Sequence, residues 1–192
     1  MIAVNAFVPP PAGAPVPVDS IEAVFAVPDV GWMDTTFRAG DQVFEISLSD
    51  YDGDPIPSLI DWLEQLVDGE FPHLIMDLEY WVCAFRTYPA EKGVRLVIAD
   101  EVLEPEIFMD IRIDRMALVA GIYNPLMAHW ASDAFARAWF HWRFTSPDLE
   151  DLDHNNPPER MTPDPIHSPK IDAVLNMIAD LCLPEGASGH GV

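Results

Sequence analysis

Asp50, Asp52 and Asp54 alternate along Asp50-Tyr51-Asp52-Gly53-Asp54, and Asp61 follows eleven positions after Asp50. Carboxylates in that spacing are the oxygen ligands of a calcium-binding EF-hand loop. The match fails where geometry matters. Pro55 stands where the sharp turn needs glycine, and Asp61 is one methylene shorter than the bidentate glutamate. No convincing helix enters the loop. The segment therefore reads as a polar turn that caps the helix after it, with an adventitious cation site as the alternative. The other chemistry-bearing residues are more scattered. His73, His129, His141, His154, His167 and His190 form no metal-binding pair at helical spacing. His129 and Asp133 are four apart, a spacing that on one helix orients a general base. No nucleophile motif, phosphate-binding glycine loop or dinucleotide fingerprint accompanies them. The sequence nominates no catalytic residue, no metal site and no cofactor.

Charge is the feature that stands out. The 192 residues hold 32 Asp and Glu against 10 Lys and Arg, a formal net charge of −22. From Ala39 to Phe85 there is no lysine or arginine, and Asp148, Glu150, Asp151 and Asp153 form a second acidic cluster. Such a surface excludes the cationic grip that nucleic acid or an anionic membrane requires. It suits a basic partner or a metal, or it serves solubility alone. Asp50, Asp52 and Asp54 in the first cluster, with Asp148, Glu150, Asp151 and Asp153 in the second, are the candidate partner-binding residues, because both clusters fall in expected surface loops. A third feature is the aromatic run from Phe135 to Phe144. Phe135, Trp139 and Trp142 share one helical face and Phe140 and Phe144 another, which places the helix in the core or under a partner.

The elements that would position these residues follow from hydrophobic period. Residues 1–19 are a Pro-rich arm. Ile21, Ala23, Phe25 and Val27 alternate as a strand, as do Phe44, Ile46 and Leu48, with a hairpin turn at Ala39-Gly40-Asp41 and a short strand over 34–38 between them. A helix is predicted over 57–67, with Ser58 and Asp61 as a cap pair and Gly69 as its stop. Four strands follow, at 73–80, 81–88, 94–99 and 107–113, in a meander. In the last, Ile107, Met109, Ile111 and Ile113 face one way. From Asp114, an expected N-cap, the period turns helical, with Met116, Val119, Ala120, Tyr123, Met127 and Trp130 on one stripe and Pro125 expected to kink or split it. The uncharged run 116–132 reads as a buried helix, not a membrane span. A helix over 132–143, a Pro-rich acidic loop at 145–169 and a final helix over 169–183 precede a flexible tail, 185–192. In the final helix Ile171, Val174, Leu175, Ile178, Leu181 and Cys182 form the apolar side. The order predicts one α+β domain over 20–184: an antiparallel sheet of about five to seven strands with helices on one face. Cys83 and Cys182 form no disulfide framework or zinc spacing, which points to a reducing cytoplasm.

The run Ser58-Leu59-Ile60-Asp61-Trp62-Leu63-Glu64-Gln65-Leu66-Val67-Asp68-Gly69, then Leu74-Ile75-Met76-Asp77-Leu78-Glu79, Val94-Arg95-Leu96-Val97-Ile98 and Ile113-Asp114-Arg115-Met116-Ala117-Leu118-Val119, resembles small acidic bacterial proteins encoded beside polymorphic or type VI secreted toxins, many of them immunity proteins. The likeness spans about residues 40–130. It implies a cytoplasmic, non-enzymatic inhibitor that binds a basic toxin domain, one that handles nucleic acid for instance, and occludes its active site. Two other classes fit the charge: a nucleic-acid mimic that blocks a restriction or CRISPR complex, and a metal-binding module or enzyme. Oligomeric state is not encoded legibly.

Overall fold

A computed structural model of the chain describes residues 9–29, 31–49, 54–77, 82–101, 106–142 and 166–182. The fold is α+β, as the order of elements predicts. Its strands divide between two sheets. The smaller is an antiparallel meander of β2 (Glu22–Phe25), β3 (Trp32–Ala39) and β4 (Gln42–Ser49). The larger runs β1-β8-β7-β6-β5, built from β1 (Val16–Pro17), β5 (His73–Asp77), β6 (Val82–Pro89), β7 (Val94–Asp100) and β8 (Ile107–Ile113). β5 to β8 are antiparallel in chain order, whereas β1 joins β8 in parallel. The helices are α1 (Pro55–Val67), α2 (Arg115–Trp130), α3 (Asp133–Trp142) and α4 (Pro169–Cys182).

Local chemistry explains the boundaries. Gly40, at φ +58°, supplies the left-handed residue of the two-residue turn that pairs Ala39 with Gln42. This tight hairpin carries β3 two residues further back than the short strand expected at 34–38. Asp54 caps α1, its carboxylate accepting from the Ile56 amide at 2.9 Å, and Pro55 takes the first helical position, where a missing N–H is harmless. The helix thus starts two residues before the predicted 57. Ser58 lies exposed inside the first turn, so the Ser58–Asp61 cap pair does not form. Asp114 caps α2 through the Met116 and Ala117 amides. Ser132 caps α3 and Ser168 caps α4, each hydroxyl accepting from the third amide onward.

One core joins both sheets and the helices. Phe37 and Phe44 of the small sheet meet Phe85 of the large one edge-on at 5.4 and 6.2 Å, and Trp62 of α1 meets Phe85 at 6.2 Å. α2 runs unbroken through Pro125, so the expected split does not occur. It buries Leu118, Val119, Ile122, Tyr123, Leu126 and Trp130, two stripes where the sequence suggested one, because β2 and α1 cover it from different sides. Tyr123 ties α4 to it. Its hydroxyl accepts from the Ser168 amide and donates to Asp172, and burial pushes the phenol up to about 12. The Ser168 hydroxyl donates in turn to Glu64 of α1 at 2.5 Å.

Three expectations about faces are corrected. Val27 is exposed, since the chain leaves β2 at Phe25. Ile107 is also exposed, because a bulge opposite Ile98 and Ala99 breaks the alternation of β8 at Phe108. Among the described side chains of α4 only Ile171 is fully buried; Met177 and Leu181 lie on the surface, since this helix packs on α1 chiefly through one side. In the arm, Val16 and Pro17 pair with β8, the Val18 amide donates to the Arg112 carbonyl, and Arg95 of β7 donates to the Pro11 carbonyl. Among the described residues no helix is long and apolar enough to cross a membrane.

Candidate functional site: an acidic cleft between the two sheets

Of the seven residues that the sequence nominates for partner binding, only Asp54 lies within the described structure. Its carboxylate serves as the α1 cap and belongs to the frame of the fold. Asp50, Asp52, Asp148, Glu150, Asp151 and Asp153 lie outside the described residues. So do the side chains of Trp139, Phe140 and Trp142. Phe135, the described ring of the aromatic run, is fully buried against Trp130 and His129. Asp61, in the EF-hand spacing, is an exposed residue of α1, and no group of three or more metal-ligating side chains occurs among the described residues.

The expected His129–Asp133 pair does not share a helix. His129 ends α2 and Asp133 begins α3, with the Ala131-Ser132 turn between them. The imidazole lies between the Phe25 and Phe135 rings. Its Nε2 is buried without a hydrogen-bond partner, and burial lowers its pKa. It is a neutral packing group, with nothing described to hold a substrate beside it. Cys83 is likewise a buried free thiol. Burial, then the Asp100 and Glu101 carboxylates, push it up to about 12, far from the range of a nucleophilic thiolate.

A concave surface lies where the two sheets diverge. β4 and β8 run side by side and are clipped together at one point. The Gln42 side chain donates to the Asp110 carbonyl at 3.3 Å and accepts from the Asp110 amide at 2.8 Å. Beside this clip opens a cleft of about 680 Å³, lined by Val43, Phe44 and Glu45 of β4, Asp100 at the end of β7, and Glu106, Ile107 and Phe108 at the start of β8. Phe44 and Phe108 stack at 5.1 Å and join its two walls. Val43 is 51% exposed and Ile107 45%, so apolar surface and three carboxylates share one recess.

Among the described residues no lysine or arginine lines this cleft. Two cations near it are engaged elsewhere. Arg86 pairs with Glu101, and Arg95 grips Asp110 with two bonds, at 2.7 and 2.6 Å. Arg38 is exposed and in register with Glu22 on one side and Val43 on the other, so it shares the face that Val43 presents. Further off, Arg115 donates to the Leu66 and Glu70 carbonyls at the end of α1, and Lys170 is held by Asp68 and Glu64. Among the described residues Arg86, Arg95, Arg115 and Lys170 are thus spent on internal anchoring, and the described lining of the recess is left with carboxylates alone as its charged groups.

Sequence reasoning found Glu45 only as one acid among many, and missed Asp100 and Glu106. The signal that was present is the outward half of the β4 alternation, where Val43 and Glu45 sit together on a solvent face. Comparison with protein-family models, with curated proteins and with solved structures finds no match to this chain.

Proposed function

We propose that this protein is an immunity-type inhibitor that neutralises a basic bacterial toxin domain by binding over its active site. The observation that carries the reading is the pairing of a net charge of −22 with an open recess that has carboxylates and exposed aliphatic surface but no lysine or arginine among its described lining residues. A toxin that acts on nucleic acid presents cationic surface to phosphates. Carboxylates speed the encounter with such a surface, and a few desolvated apolar contacts then slow release. The neutral, enclosed His129 and the unreactive Cys83 support a binding role over a catalytic one.

The test is capture of a partner by the full chain from the cells that encode it, followed by kinetics with the purified pair. The reading expects a basic protein whose activity falls to zero at equimolar inhibitor. Raising salt to about 0.5 M shrinks the Debye length to a few ångströms, and should slow association far more than it speeds dissociation. A partner that is not basic, a toxin activity unaffected by the inhibitor, or equal salt effects on the two rates would overturn it.

A further inference from the structure

We propose that the cleft beside the Gln42 clip takes an extended cationic segment of the partner, which adds to β4 as a fourth strand of the smaller sheet. The inference rests on the inhibitor reading above and names the surface it uses. β4 is the end strand of its sheet. Its ladder to β3 starts from the two-residue turn, where Ala39 and Gln42 form the closing pair. Hydrogen-bonded and non-hydrogen-bonded pairs alternate from there. The backbone amides and carbonyls of Val43 and Glu45 therefore point away from β3, toward the cleft.

Sheet edges are ordinarily blunted by shortness, proline, lysine or a covering element. Two of the other three edges among the described strands follow that rule, while the five-residue β5 carries neither proline nor lysine. β1 is two residues long and ends in Pro17, and the four-residue β2 lies against α2. β4 has eight residues, with no proline and no lysine. Its open edge faces a wall made by Ile107 and Phe108, where the bulge in β8 turns the Ile107 side chain outward. A strand laid along β4 would satisfy the outward backbone groups, and alternate side chains would meet Val43 and Ile107. The exposed Glu45 and Glu106 select lysine or arginine at neighbouring positions. They also disfavour a second copy of this chain, whose net charge of −22 repels its own kind.

The experiment uses the full chain and a short, end-blocked peptide of alternating lysine and valine, with a fully N-methylated peptide of the same sequence as control. Amide hydrogen exchange is followed at low salt. When about nine-tenths of the protein is occupied, mass action should slow exchange of the Val43 and Glu45 amides about ten-fold. The N-methylated control should not bind. The double substitution Glu45→Lys with Glu106→Lys, both at exposed positions, should weaken the peptide at least about ten-fold at low salt while the unfolding midpoint stays near that of the parent. No saturable binding, protection that maps to another edge, equal binding of the N-methylated peptide, or undiminished binding by the doubly substituted chain would each refute the proposal. The same variant separates it from the wider reading. A basic toxin captured and inhibited equally by parent and variant refutes the cleft alone, whereas capture of no basic protein by either chain refutes the inhibitor reading.

Discussion

Gly121 sits in the middle of α2, where the backbone carbonyl of Ile21, the residue just before β2, stands in the place of a side chain. A Cβ built there falls 2.1 Å from the Ile21 carbonyl oxygen, 2.9 Å from Ile21 Cγ2 and 3.0 Å from the Ile21 carbonyl carbon. Two effects of Gly121→Ala oppose each other. In a helix with open space, alanine is better than glycine by about 1 kcal/mol. Here, carbon and oxygen need roughly 3.3 Å, so α2 and β2 must part by about 1 Å. The oxygen belongs to the backbone, so no rotamer relieves the clash. The separation would also loosen the contacts that Leu118 and Ile122 make in the core. Overpacking of this kind costs about 1–3 kcal/mol, and a rigid obstacle places it at or beyond the upper end. The balance is a loss of about 2 kcal/mol, which for a chain of this size lowers the melting temperature by roughly 4–8 °C. Urea unfolding should show the lower midpoint with an unchanged slope. Ile21→Ala, which removes the Cγ2 contact but keeps the oxygen, should not rescue it. A variant as stable as the parent, or more so, would show that propensity outweighs packing and that the helix does not seat on the strand at this distance.

Asp54→Ala should destabilise by about 1 kcal/mol through loss of the α1 cap, and Asp54→Asn should restore most of it; urea titration of the three chains decides whether this carboxylate is structural. His129 is held below its ordinary value of 6.5 by burial. The unfolded chain therefore takes up this proton before the folded one does, so the contribution of His129 to stability is full above pH 6.5 and is lost as pH falls from there through the lowered folded value. The difference in unfolding free energy between the parent and His129→Leu should shift against the parent across that window, and a pH-independent difference would refute the assignment. In a Cys182→Ser chain, Cys83 should resist a thiol reagent at pH 8 until the protein unfolds, because its folded thiol sits near 12; prompt labelling of the native chain would contradict that.

Much of the fold was legible because short-range rules decided it. β8 spans the predicted 107–113, and the Gly40 turn, the Gly69 stop and the Asp114 cap stand where turn and capping chemistry put them. What period alone does not reveal is which strands share a sheet. β4 and β8 look alike in alternation, yet they belong to different sheets, joined by the Gln42 side chain and the Phe44–Phe108 stack. The bulge at Phe108 was equally invisible, since it depends on the register with β7. Pro125 was read as a break, but α2 is enclosed on several sides, and packing holds the helix through the missing hydrogen bond. For the site, sequence clustering drew attention to runs of aspartate. The cleft instead gathers Glu45 from β4, Asp100 from the end of β7 and Glu106 from just before β8, and no short linear window contains all three.

The carboxamide of Gln42 acts as a borrowed rung of backbone. It offers Asp110 the same donor and acceptor that a neighbouring peptide unit would, and so fixes the distance between two sheets from a point just outside the cleft. The alignment of the walls is thus set by a residue that contributes nothing to the lining. Val43, Glu45, Glu106 and Ile107 are then open to exchange without disturbing the hasp that holds the walls apart, so the chemical preference of the recess and its shape can change independently.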